Sequence, residues 1–155
     1  SEDKSKKTNR SIGLNYTLVG NSKAIKNVRP FQEKIRQEKY REWLVDLIKD
    51  LLHILITARP DYQKEATVES IEEKLAHWMP DEMYFQEEND RPPVAKEKLL
   101  KKYIFPYIDD ASYLGLESNP RTKEMYSKYN ITSISAYYAH DKDGIIKKAL
   151  MIKSD

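Results

Sequence analysis

The segment from Pro30 to Ala58 constrains this chain more than any other, because it is dense in apolar residues and has no proline or glycine after Pro30. Stepped at about 100° per residue, Tyr40, Trp43, Leu44, Leu47, Ile48, Leu51, Ile54 and Leu55 fall on one face. Val45, Leu52 and Ile56 widen that face past half the circumference, and Glu42, Asp46, Lys49, Asp50 and His53 crowd the remaining strip. Pro30 suits a first helical turn and Arg59-Pro60 a stop. The pattern predicts one long helix over 30–58, a central spine touched from several sides, with Trp43 in the core.

The rest of the chain is read as packing around that spine. At 155 residues, with 39% hydrophobic and 34% charged, it has the size of one domain and enough apolar material for a core. Residues 1–11 are polar, partly basic and aperiodic, which predicts a flexible tail ahead of a single globular domain over 12–155. Ile12, Leu14, Tyr16 and Leu18 alternate before Gly20-Asn21-Ser22, as in a short strand and turn. Thr67 is placed to cap a helix over 68–79, which Pro80 ends. Pro92-Pro93 sets up a third helix over 94–110, and Asn119-Pro120 a short helical turn. Residues 131–139 are rich in β-formers, Asp141 to Gly144 suits a turn, and 145–152 reads as the returning strand. A helix competes over 145–152, since Ile145, Ile146, Ala149 and Leu150 also suit helical spacing. The expected fold is α+β and mostly helical: a long central helix, two or three packed helices and a C-terminal β-hairpin, arranged like a winged helix. The first residue is Ser1 rather than methionine, so the chain is expected to be part of a larger protein.

Composition removes several chemistries. Without cysteine there is neither a disulfide framework nor a thiolate zinc site, which favours a reducing compartment. The longest apolar stretch, Leu51 to Ala58, is too short to span a bilayer and no signal-peptide pattern is present. Glycines at 13, 20, 115 and 144 are too scattered for a phosphate-binding loop or a dinucleotide fingerprint. His53 shares its strip with Asp46 and Asp50, too few oxygen ligands for a hard cation. His77 ends an acidic helix, His140 precedes a turn, and no serine stands in a known nucleophile context with any histidine. No catalytic residue, metal or cofactor is predicted, and the expectation is a chain that is not an enzyme.

Charge supplies the functional reading. The net charge of +2 hides +6 over residues 1–60, −8 over 61–90 and +4 over 91–155. On the third helix Lys98, Lys101 and Lys102 share one narrow arc with Phe105. Together with Lys142, Lys147 and Lys148 of the hairpin they are the predicted nucleic-acid contacts, each neutralising phosphate. In the acidic region Glu69, Glu73, Glu87 and Glu88 surround Tyr84 and Phe85, which suits recognition of a basic segment. The leading expectation is a non-enzymatic, nucleic-acid-contacting module of a larger nuclear assembly, chromatin or nucleoprotein. The alternative is a protein–protein adaptor that binds a basic partner segment through 61–90.

Overall fold

Ile54, Leu55, Ile56 and Thr57 are all buried, and they form a strand rather than the end of a helix. A computed structural model describes residues 10–76, 78–107 and 113–153. Strand β2 (Ile54–Pro60) pairs with β1 (Arg10–Ile12) on one side and β3 (Glu82–Gln86) on the other. Beyond β1 lie β4 (Leu114–Leu116) and β5 (Thr132–Ile134). Every pairing is parallel, in the order β3-β2-β1-β4-β5. Glu82, Ile54, Ser11, Gly115 and Ser133 form one row across the sheet.

Helices cover both faces. In chain order they are α1 (Phe31–Gln37), α2 (Glu42–Ile48), α3 (Lys64–Lys74), α4 (Pro92–Leu99), α5 (Pro120–Ser127) and α6 (Ile145–Lys153). Side chains alternate across a strand, so Leu55, Ile12, Leu114 and Leu116 pack on one side against Leu44, Val45 and Ile48 of α2, Ile71 of α3, and Ile146 and Leu150 of α6. Ile54 and Ile56 point the other way, against Leu99 at the end of α4, Leu100 and Ile104 in the wide turn that follows, and Met125 and Tyr126 of α5. Gly115 is required there: a Cβ on it would stand 3.1 Å from the buried Tyr126 ring, whose hydroxyl meets Ser11 Oγ at 2.7 Å. The result is a three-layer α/β domain.

The predicted spine over 30–58 is thus three elements, α1, α2 and β2. A strand buried on both faces loses its alternation and becomes a continuous apolar run, which periodicity cannot tell from a buried helix. Residues 38–41 are held out of the helix by long-range bonds. Asn21 Nδ2 donates to Gln37 O at 2.9 Å and its Oδ1 accepts from Lys39 N at 2.8 Å, while Gly20 N reaches Lys39 O and Arg41 N reaches Leu18 O, both at 2.7 Å.

The C-terminal hairpin is also corrected. Thr132–Ile134 pairs in parallel with β4, and 145–153 is helix α6. The Asp141 carboxylate explains the choice, since it accepts the N–H groups of Ile146 and Lys147, both at 2.9 Å, and so serves the first turn of a helix. No winged helix remains. Residues 82–86 of the acidic region are the edge strand β3. Arg10 and Ser11, read as tail, lie buried in β1, and the rest of that tail, residues 1–9, lies outside the described residues, as does His77.

Candidate ligand pocket at the carboxyl edge of the sheet

Because all five strands run parallel, their carboxyl ends share one edge. The order reverses at β1, where a neighbour reached from β1 lies on one side and β4 on the other, and open α/β sheets bind ligands outside such a point. Three segments leave the sheet there: 13–19 after β1, 61–63 after β2 and 117–119 after β4. The first makes a wide turn in which Leu18 N reaches Gly13 O at 3.2 Å and Val19 N reaches Leu14 O at 2.9 Å, with Tyr16 at φ 63°.

Between β1 and β4 the crevice is filled by the protein itself. Lys96 Nζ lies 2.6 Å from Glu117 Oε1, with side-chain exposures of only 7% and 2%. Glu117 Oε2 accepts the backbone N–H groups of Ser118 and Asn119, each at 3.0 Å. Thr17 Oγ1 donates to Ser118 Oγ at 3.1 Å and closes the other side. Gly13 is where this pair approaches the backbone: a Cβ there would sit 3.0 Å from Glu117 Oε1 and 3.2 Å from Lys96 Nζ.

Over the end of β2 the edge is open. A cavity of about 500 Å³ lies between α1, the turn after β2 and the start of α4, lined among others by Asn15, Arg29, Phe31, Lys34, Glu38, Arg59, Tyr62 and Asp90. Arg59 organises its floor. Its guanidinium donates to Thr67 Oγ1 at 2.9 Å, to Asn15 Oδ1 at 2.8 Å and to the buried Glu38 carboxylate. Burial pushes the Glu38 carboxyl up, and the Arg59 charge opposes that shift. The Lys34 ammonium is held below its ordinary value by burial first, then by the charges of Arg29 and Arg59. Asp90 is taken by Lys98 at 2.8 Å, whose hydrogen bond holds its carboxyl down. That leaves three cations around one carboxylate, an arrangement that favours an anion. Beside them the Phe31 and Tyr62 rings meet edge to face at 5.4 Å, and Tyr62 is 67% exposed. The wall α1 is fixed by Lys74 of α3, whose Nζ donates to the carbonyls of Ile35, Arg36 and Glu38 at 3.2, 2.7 and 2.7 Å. Among the described residues no group of three or more His, Cys, Asp and Glu side chains could hold a metal ion.

The residues singled out in the sequence lie elsewhere, and none lines this cavity. Lys98 bridges Glu88 and Asp90, at 2.5 and 2.8 Å, so two residues assigned to opposite partners meet each other. Lys101 lies 4.0 Å from Glu97, Lys102 stands over the Tyr103 ring at 5.1 Å, and Lys142 stands over Tyr138 at 4.7 Å. Lys147 and Lys148 are on the exposed side of α6, and Glu69, Glu73 and Glu87 are exposed. Phe85 is buried, while Tyr84 stacks on Tyr103 at 4.6 Å and donates to Glu82 at 2.6 Å. Arg59, read only as a helix stop, was the missed residue. A run of apolar residues that ends in Thr57, Ala58 and Arg59 is the signal of a buried strand delivering a polar side chain at its carboxyl end.

The chain is therefore a Rossmann-like α/β domain with an open pocket at the carboxyl edge of its sheet. No protein-family model and no curated protein sequence matches it. Among solved structures, a chain of the Pnkp1/Rnl/Hen1 RNA repair complex is similar with a TM-score of 0.66 and 16% identity, over 88% of this chain and 44% of that one. A chain from another structure of the Pnkp1/Rnl/Hen1 complex gives a TM-score of 0.66 and 16% identity, over 87% and 47%. The chain thus spans less than half the length of the solved chains it matches, and at this identity the likeness is one of fold. These findings overturn the expectation of a non-enzymatic, DNA-binding chromatin module: it rested on a winged helix that is absent, and the matching folds belong to an RNA repair complex. The nuclear setting falls with it, and among the described residues no helix is long and apolar enough to cross a membrane.

Proposed function

We propose that this domain belongs to an RNA-processing enzyme and holds a phosphorylated RNA end in the cavity over β2. The observation that carries this reading is the grouping of Arg29, Lys34 and Arg59 beside the Phe31–Tyr62 rings at the carboxyl edge of a parallel sheet. The cations neutralise a terminal phosphate, and the exposed Tyr62 face receives the base next to it. A volume of about 500 Å³ lies within the range of ~300–1,000 Å³ common to small-ligand sites. Fixed positive charge at the phosphate suits phosphoryl chemistry, in which charge spreads over the phosphate oxygens. The fold's occurrence in an RNA repair complex supports RNA as the polymer and other subunits as partners.

The test is fluorescence anisotropy with short single-stranded RNAs carrying a 5′-phosphate, a 3′-phosphate or neither, with phosphate release followed in parallel. One phosphorylated end should bind at least about tenfold more tightly than the unmodified RNA, a difference of ~1.4 kcal/mol. Lys34→Glu with Arg29→Glu should abolish that preference. Equal binding of the three RNAs would overturn the reading.

A further inference from the structure

Three half-exposed tyrosines continue the carboxyl edge beyond the cavity, and nothing in the core requires them. Tyr16, Tyr137 and Tyr138 are 41%, 49% and 48% exposed, and among the described residues no other ring packs against them. Tyr16 directly follows Asn15, which lines the cavity and accepts from Arg59. Its backbone has φ 63°, a costly conformation for an aromatic residue, and it is pinned from both sides. Its N–H donates to Ser22 Oγ at 2.8 Å and its carbonyl accepts from Arg41 Nη1 at 2.9 Å. Those bonds hold the ring outward at the mouth of the β1 turn. Tyr137 is anchored further along, its hydroxyl donating to Ser118 O after β4. The Tyr138 carbonyl accepts from Trp43 Nε1 at 3.2 Å, and Lys142 stands over one face of its ring at 4.7 Å. The tyrosines thus lie in series from the β2 cavity toward β5, with a cation at the far end.

We infer that Tyr16, Tyr137 and Tyr138 form a stacking track for the nucleotides adjoining the RNA end, with Lys142 contacting their backbone. The inference rests on the proposed end-binding cavity. Rings backed by local hydrogen bonds offer π-faces to any base, so the track reads strandedness rather than sequence. A duplex, whose bases are already stacked, gains nothing from it.

Two probes separate the track from the cavity: a nucleoside monophosphate and a single-stranded tetranucleotide with the same phosphorylated end. Wild-type protein should bind the tetranucleotide more tightly, by about 5- to 150-fold for each ring engaged. Tyr16→Asn, which tolerates positive φ, combined with Tyr138→Leu should lower tetranucleotide affinity and leave monophosphate affinity unchanged. Tyr137→Leu removes the third ring and should likewise lower tetranucleotide affinity. Equal affinity of wild-type protein for both probes would overturn the track alone. So would undiminished tetranucleotide binding by the double variant, which would leave the tyrosines to a protein partner. Failure of wild-type protein to bind either probe would overturn the cavity and the track together.

Discussion

The buried Lys96–Glu117 pair makes the sharpest physical test of this structure. Lys96→Met removes the ammonium and keeps most of the volume, which leaves a carboxylate that is 2% exposed without its counter-charge. Breaking a buried pair in this way costs roughly 3–5 kcal/mol. Glu117 keeps the N–H groups of Ser118 and Asn119, at 3.0 Å each, so the cost should fall at the lower end, about 3 kcal/mol. For a domain of this size that corresponds to a drop in Tm of roughly 6–12 °C. Adding Glu117→Gln removes the stranded charge while its amide oxygen still accepts both N–H groups, so the double variant should recover most of the loss. Urea denaturation followed by circular dichroism, at constant m-value, reads these differences directly. A Lys96→Met loss below about 1 kcal/mol, or a double variant less stable than the single one, would refute the argument that the pair is bound by charge rather than by shape.

Other consequences are as direct. Gly13→Ala places a methyl 3.0 Å from Glu117 Oε1 and 3.2 Å from Lys96 Nζ, and should cost about 1–3 kcal/mol in the same denaturation assay. Asp141→Ala removes two acceptors from the first turn of α6 and should cost about 1 kcal/mol, read by the same melts. His53 is buried, and desolvation holds its imidazole below the ordinary value, so the folded state binds a proton less readily than the unfolded chain. Its contribution is present above about pH 6.5 and is lost as pH falls from there toward the depressed folded value. His53→Gln should flatten that part of the stability–pH curve, and an unchanged slope would assign it to another group.

Some of this fold was legible in the sequence. Pro92 and Asn119-Pro120 marked real helix starts, and Asn119 Oδ1 accepts Arg121 N at 2.9 Å as a cap should. The sheet was not legible, for a specific reason. Ile54 and Leu55 continue the 3.6-residue spacing set by Trp43, Leu44 and Leu47, so a buried parallel strand imitated the last turns of a helix. Strands β1, β4 and β5 are three residues each, too short for alternation to register. The pocket was harder still, because it is assembled across the chain. Arg59 meets Asn15 and Glu38 at separations of 44 and 21 residues, and Lys96 meets Glu117 across 21. The charge pattern measured local sign correctly but could not show that Lys98 is satisfied by Glu88 and Asp90.

The attachment of α1 has an evolutionary consequence. Segment 28–38 brings Arg29, Phe31, Lys34 and Glu38 to the cavity, yet its helix has only seven residues and Ile35 as its one buried side chain. Apart from Ile35 and the Glu38–Arg59 pair, it is fastened through backbone carbonyls gathered by Lys74, contacts that do not depend on which side chains the rest of the segment carries. The ligand preference of this edge thus sits on an exchangeable panel, and the sheet beneath can keep its packing while the panel drifts toward a different anion.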